Sequence, residues 1–274
     1  MLSSNSRYLI RALVPKRFHR TLRWIARIRQ PRRAYLNLSI PAAPAVASPY
    51  SFAIAHDNPL KELGDKYRPT KRLHNYLPYY WAHFRDIRHQ VRSVLEIGLE
   101  TDRSLRMWEE FFPNAEIIGV DIDPKCRAFE GARRRVLTGH QGDHAFLKSL
   151  VDSTTYPIDV VIDDGSHLVK HQIASFNYLF PRMSSHGIYV IEDTGGVVED
   201  FHLATVNAMK SLIDNTMHWP CDFPASNWLA LDGFGDEASW MDKNVVGVAF
   251  YRWMVVIMRG RNPRDNPYLG SSHE

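Results

Sequence analysis

The 274-residue chain has only two cysteines, Cys126 and Cys221, so it carries no disulfide framework and suits a reducing, cytoplasmic compartment. It has no apolar run of the ~18–20 residues that cross a bilayer. No stripe of basic and aromatic residues and no nucleic-acid motif occurs in its body, so nucleic acid is not an expected partner. Acid is missing from one region: residues 1–56 hold ten Lys or Arg and no Asp or Glu. The rest of the chain then sets 24 basic residues against 30 acidic ones, a mildly acidic body behind a basic leader. Two further absences exclude chemistry. Without a Gly-x-Ser-x-Gly elbow, and with Ser166 and His167 adjacent, a Ser–His–Asp hydrolase is excluded. After the first strand the chain reads "GLETDRS", with one glycine, so a dinucleotide pyrophosphate has no glycine-lined turn to approach and a nucleotide-dependent oxidoreductase is disfavoured.

The leader, residues 1–37, contains two short amphipathic pieces separated by Pro15. In the second, Phe18, Leu22, Ile25 and Ile28 recur at helical spacing, with Arg20, Arg23 and Arg27 on other faces. Such a helix suits peripheral contact with an anionic membrane surface, or docking on its own body or on a partner subunit of a homo-oligomer. An Arg-rich, acid-free start also has the composition of a mitochondrial transit peptide. Residues 38–58 are rich in Pro, Ala and Ser and read as a linker. From 59 to 262 the pattern is regular, and 263–274 is a tail.

Within the regular part, residues 59–90 form a helical cap rich in aromatics, bent near Pro78. "RSVLEIG", "AEIIGVDI", "RRVLTG", "IDVVIDD" and "GIYVIED" read as five strands, with helical segments between them. "NVVGVAFYRWMVVIMRG" reads as a hairpin with a very tight turn near Tyr251–Trp253. Strands alternating with helices imply right-handed crossovers and an α/β, doubly wound, mostly parallel sheet. The hairpin adds a C-terminal antiparallel strand, the layout of Rossmann-like methyltransferases.

In such sheets ligands bind beyond the carboxyl ends of the strands. Those ends are acidic: Glu96 before Gly98, Asp121, the Asp163–Asp164 pair and the Glu192–Asp193 pair. A single acid there is commonly a helix cap. Four strands ending alike invite a functional reading. Asp121 is placed to accept hydrogen bonds from ribose hydroxyls, and a cofactor without phosphates suits the one-glycine loop. Asp164, Glu192 and Asp193 would meet across neighbouring strands. Carboxylates that close repel unless a cation joins them, and hard oxygen ligands favour Mg²⁺ or Mn²⁺. His167, three residues after Asp164, is placed to act as general base.

The blocks "VLEIG", "SLRMWEEFFPNAEIIGVDIDPK", "GHQGDHAFL", "DVVIDDGSH", "SFNYLFPRM" and "GIYVIEDT" resemble, in this order, the macrocin and mycinamicin type of class I sugar O-methyltransferases. The resemblance covers about residues 60–200. It implies S-adenosylmethionine and Mg²⁺ as cofactors, Asp164, Glu192 and Asp193 as metal ligands, and His167 as the catalytic base. A sugar hydroxyl of a natural-product glycoside or glycan precursor is the implied acceptor. The alternatives are a catechol-like or other vicinal-diol acceptor, or a non-catalytic ligand-binding member. The chain departs from the family at "LETDRS" and at His140, where the family tends to have an acid. Arg103 and Ser104 are therefore candidates for the methionine end of the cofactor, and Gln141 and Asp143 for the adenine end, beside Glu96, Gly98, Asp121 and Asp163. Asp163 alternatively supports the turn. Tyr67, His74 and Tyr76 in the cap are candidate substrate contacts. So are Trp219 and Trp228 in residues 216–243, a long aromatic loop read as a lid.

Overall fold

The computed structural model describes residues 58–194, 202–217 and 239–261. The leader, nearly all of the linker, the tail, and the part of the expected lid that carries Trp219 and Trp228 lie outside the described residues. None of the described helices is long and apolar enough to cross a membrane.

The described chain opens with α1 (Pro59–Tyr67). Asn58 starts it by accepting the Leu60 amide on its side-chain oxygen at 3.0 Å. Pro59 fills the first turn, where a missing N–H costs nothing. Arg68, in the left-handed region at φ 53°, stops it just before Pro69. One turn of helix, α2 (Thr70–Leu73), follows, and then α3 (Leu77–Phe84). The expected bend near Pro78 is thus a break placed earlier, at His74–Tyr76, where Asn75 takes φ 60°. Pro78 sits in the first turn of α3, a position it favours.

The sheet holds seven strands in the order β3-β2-β1-β4-β5-β7-β6. These are β1 (Ser93–Ile97), β2 (Glu116–Asp121), β3 (Arg134–Thr138), β4 (Val160–Asp163), β5 (Ile188–Ile191), β6 (Val245–Tyr251) and β7 (Met254–Arg259). The first five are parallel, and β7 runs antiparallel between β5 and β6. Between them lie α4 (Arg103–Phe111), a 3₁₀ turn (Pro124–Phe129), α5 (His144–Asp152), α6 (Val169–Leu179), α7 (His202–Met217) and α8 (Trp240–Asn244). The expected α/β class and antiparallel hairpin are both present. Residues 240–243, the end of the expected lid loop 216–243, lie in α8. Trp240 packs edge-on to Phe180 and beneath the Arg259 guanidinium.

Alternate residues of each strand feed two cores, as a pleated strand buried on both faces must. On one face Val94, Ile117, Val160 and Val190 meet the aromatic side of the cap and α4: Tyr80, Phe84, Trp108, Phe111 and Phe112. On the other, Leu95, Ile118, Val161 and Tyr189 meet Leu147, Leu150, Phe176 and Phe180. Burying each such large apolar side chain contributes on the order of 2–3 kcal/mol. The spacing of Tyr76, Tyr80 and Phe84, one helical turn apart, fixes the face of α3 that turns inward. That packing holds the cap against the sheet and delivers α2 to the strand ends.

Candidate active site

Backbone bonds continue the sheet for one residue past its strands. Gly98 N donates to Val120 O at 2.8 Å, Asp164 N to Ile97 O at 2.9 Å, and Glu192 N to Asp163 O at 2.9 Å. The loops therefore leave in register and bring the acidic residues to one edge. The tip of the β6–β7 hairpin joins them: Thr194 N donates to Trp253 O at 3.0 Å. Gly98, His167, Asp193 and Trp253 all occupy the left-handed region, at φ 94°, 55°, 53° and 63°. For the three non-glycine residues this conformation costs roughly 1–2 kcal/mol each. Backbone strain of this kind clusters at ligand-binding sites in proteins generally.

A cavity of about 360 Å³ opens there. Gly98, Leu99, Ser104 and Asp121 line one part of it, and His74, Asp164, His167 and Asp193 another. Asp121 is aimed by two amides, accepting from Leu99 N at 2.7 Å and from Asp123 N at 2.8 Å. At Gly98 a side chain has no room: a Cβ would lie 2.1 Å from the Asp164 carbonyl oxygen. Asp164, His167 and Asp193 each offer one ligand atom, all within 4.8 Å of one another. His167 Nε2 lies 3.7 Å from Asp193 Oδ2. The opposite Asp193 oxygen accepts the Tyr76 hydroxyl at 2.6 Å and lies 3.4 Å from His74 Nδ1. Burial, then the Asp193 carboxylate, push the Tyr76 phenol well above its ordinary range, so it stays a donor.

Glu192 is next to this group in sequence but engaged beneath it. It is buried and accepts the Tyr80 hydroxyl, and its Oε1 lies 2.9 Å from Lys71 Nζ. Lys71, 1% exposed on α2, also reaches Asp164 Oδ2 at 2.6 Å and Glu96 Oε1 at 3.0 Å. Burial opposes its charge, but the Asp164, Glu192 and Glu96 carboxylates outweigh it and hold the ammonium well above its usual range. Burial, with Asp164 beside it, pushes Glu192 well above the usual carboxylate range. Glu96 is raised by burial too, against the pull of Lys71.

Several expected contacts have other partners. Asp163 is buried and accepts from Gln141 at 2.9 Å, Ser175 at 2.6 Å and Tyr189 at 3.1 Å. Gln141 in turn accepts Ser166 N at 2.7 Å. These two residues brace the "DDGSH" turn and do not line the cavity. Asp143 caps α5, accepting Ala145 N at 2.9 Å. Arg103 is exposed and reaches the Arg68 carbonyl at 3.4 Å. Tyr67 donates to Glu110 at 2.5 Å. The cavity wall includes neither Glu96 nor Tyr76; each touches a residue of it or of the Lys71 cluster. Lys71, Tyr80 and Trp253 carry contacts that the sequence did not single out. Lys71 stands between Thr70 and Arg72, and nothing local to it in the sequence signals burial.

A seven-stranded sheet of this order, with a cavity at the carboxyl ends of β1, β2, β4 and β5, defines a Rossmann-like methyltransferase fold. Comparison with known proteins refines this. The mycinamicin VI 2''-O-methyltransferase of Micromonospora griseorubida is 36% identical over 222 residues, 74% of this chain and 53% of that protein. The demethylmacrocin O-methyltransferase of Streptomyces fradiae is 35% identical over 222 residues, again 74% and 53%. The solved structure of the mycinamicin-pathway methyltransferase MycE with Mg, S-adenosylhomocysteine and mycinamicin VI superposes with a TM-score of 0.62 at 35% identity, covering 74% of this chain and 53% of that one. The chain is homologous to sugar O-methyltransferases of the mycinamicin and macrocin type. It spans about half the length of these relatives. No protein-family model matches it.

Proposed function

We propose that the chain is an S-adenosylmethionine- and Mg²⁺-dependent O-methyltransferase acting on a sugar hydroxyl of a small glycoside or glycan precursor. The observation that carries this reading is one cavity wall with two chemistries. Gly98 and Asp121 fit a nucleoside cofactor, and Asp164, His167 and Asp193 fit a divalent ion and a base. The donor set suits Mg²⁺: two carboxylates in reach of each other, with no sulfur ligand among them. When bound, the ion acidifies an acceptor hydroxyl and the sulfonium cofactor supplies the methyl group.

The chain's own residues do the rest. Gly98 lets the loop after β1 pass close against the Asp164–Gly165 backbone, where any side chain would meet the Asp164 carbonyl. Asp121, held by its two amides, accepts from ribose hydroxyls. Asp164 and Asp193 hold and orient the ion, and Tyr76 and His74 fix the Asp193 carboxylate. His167 takes the acceptor's proton on its cavity-facing imidazole. The acceptors named for the relatives, mycinamicin VI, demethylmacrocin and an α-L-rhamnosyl tetracenomycin, support a glycoside acceptor, and the rhamnosyl group supports a deoxyhexose.

Two measurements test this. Calorimetry with S-adenosylhomocysteine should show micromolar binding (Kd on the order of 1–100 μM). Labelled S-adenosylmethionine with a panel of deoxyhexosyl glycosides should give label transfer that EDTA abolishes and Mg²⁺ restores. Folded protein that binds no S-adenosylhomocysteine would leave a ligand-binding protein of this fold and end the enzyme reading.

The basic segment 1–37 extends the proposal to where the acceptor is met: an anionic membrane surface carrying lipid-linked sugars. Liposomes containing anionic lipid should sediment the full chain and leave a chain lacking residues 1–37 in solution. Equal partitioning of the two rules the membrane contact out.

A further inference from the structure

We propose that Lys71 is an internal counter-cation of the metal site, sharing Asp164 with the ion and thereby holding the site's divalent affinity below what its carboxylates alone would give. The inference rests on the metal site of the proposed function. Three carboxylates from three different strand ends converge on one ammonium: Asp164 Oδ2 at 2.6 Å, Glu192 Oε1 at 2.9 Å and Glu96 Oε1 at 3.0 Å. Lys71 is 1% exposed, and both Glu96 and Glu192 are buried with it. Asp164 belongs to two groups at once, since it is also one of the three residues whose ligand atoms lie within 4.8 Å of one another.

A purely stabilising role does not require this arrangement. A buried ion cluster contributes little net stability compared with apolar residues of similar volume, because desolvation offsets the attraction. What the ammonium does uniquely is place a fixed positive charge on the carboxylate that an ion would share. Between buried groups such charges are weakly screened by salt. An ion ligated by Asp164 and Asp193 is therefore held against the charge of Lys71. Glu192, bonded to Lys71 and Tyr80, is kept back from the cavity. Removing the ammonium should release both restraints.

The experiment measures Mn²⁺ binding, by electron paramagnetic resonance or calorimetry, in mildly alkaline buffer after chelator treatment. Lys71→Met and Lys71→Gln should bind Mn²⁺ on the order of tenfold more tightly than the wild type. Lys71→Arg, which keeps the charge, should stay within roughly threefold of the wild type. If the wild type binds and the neutral variants bind no more tightly, the role of Lys71 is overturned while the proposed function stands. If no chain binds Mn²⁺, the metal site itself has failed. Should the neutral variants not fold, the wild type decides the matter. With lysines labelled in ¹⁵N, the slowly exchanging ammonium resonance of Lys71 should shift as Mg²⁺ is added. A resonance unmoved at saturating Mg²⁺ overturns the proposal.

Discussion

Replacing His167 by asparagine is expected to lower kcat for methyl transfer by about 10²–10⁴, the usual contribution of a general base. Asparagine is the informative choice because His167 holds φ 55°. Asparagine tolerates the left-handed region better than other non-glycine residues, so the imidazole is removed with little added strain. His167→Ala would remove the same group and leave at φ 55° a residue without the polar side chain that favours this region in Asn, Asp and His. Both variants should keep S-adenosylhomocysteine affinity, because His167 sits with Asp193 and not with Asp121. The measurement is initial-rate label transfer to whichever glycoside the acceptor panel identifies, with the unfolding midpoint as control. A kcat within threefold of the wild type in both folded variants would remove His167 from the chemistry.

The reach of the sequence into this site depends on the kind of physics each residue obeys. Strand ends are local features. β-branched runs ending in Asp121, Asp163–Asp164 and Glu192–Asp193 declare where the chain turns, and the parallel topology brings those ends to one edge. Asp164, His167 and Asp193 were legible for that reason, as was the order of elements. The partition among adjacent acids was less so. Whether Asp163 or Asp164 faces the cavity follows from strand parity, but the partners of Asp163 come from Gln141, Ser175 and Tyr189, which are 12 to 26 residues away. Asp143 illustrates the opposite limit. A residue suited to an adenine contact is equally suited to an N-cap, and it caps α5.

Lys71 shows what no periodicity reveals. Its charge implies exposure, and its neighbours Arg72 and Leu73 are exposed to solvent. Only the break at His74–Tyr76, together with the docking of α3 by Tyr80 and Phe84, turns α2 so that this one side chain enters the sheet edge. The compensating carboxylates lie 25, 93 and 121 residues further along the chain, at positions 96, 164 and 192. Such a cluster is specified by tertiary packing, and a sequence displays its members without their meeting. In the sequence Glu192 reads as a ligand because it ends a strand beside Asp164 and because the family resemblance implies it. The fold gives the two neighbours opposite faces, one toward the cavity and one toward Lys71 and Tyr80.

Gly98→Ala is expected to have the largest effect on the fold and the site together. Its backbone is at φ 94°, outside the regions that L side chains adopt readily, which costs roughly 1–3 kcal/mol. The added Cβ would also stand 2.1 Å from the Asp164 carbonyl oxygen and 2.7 Å from Gly165 Cα, both backbone atoms that cannot rotate away. Forcing that contact apart is an overpacking cost of about 1–3 kcal/mol. A total loss of roughly 2–6 kcal/mol should appear in urea unfolding. Gly119→Ala is the matched control. It lies on β2 in the same sheet, and its Cβ would meet the far end of the Leu99 side chain at 2.7 Å, which can move. The displacement caused by Gly98→Ala acts on the Asp164–Gly165 backbone, so Mn²⁺ and S-adenosylhomocysteine affinities should fall together, although the substitution touches neither carboxylate. Gly98→Ala protein as stable as the Gly119→Ala control, with both affinities unchanged, would show that the turn can relax. Gly98 would then have no special role in bringing the cofactor loop against the metal-binding turn.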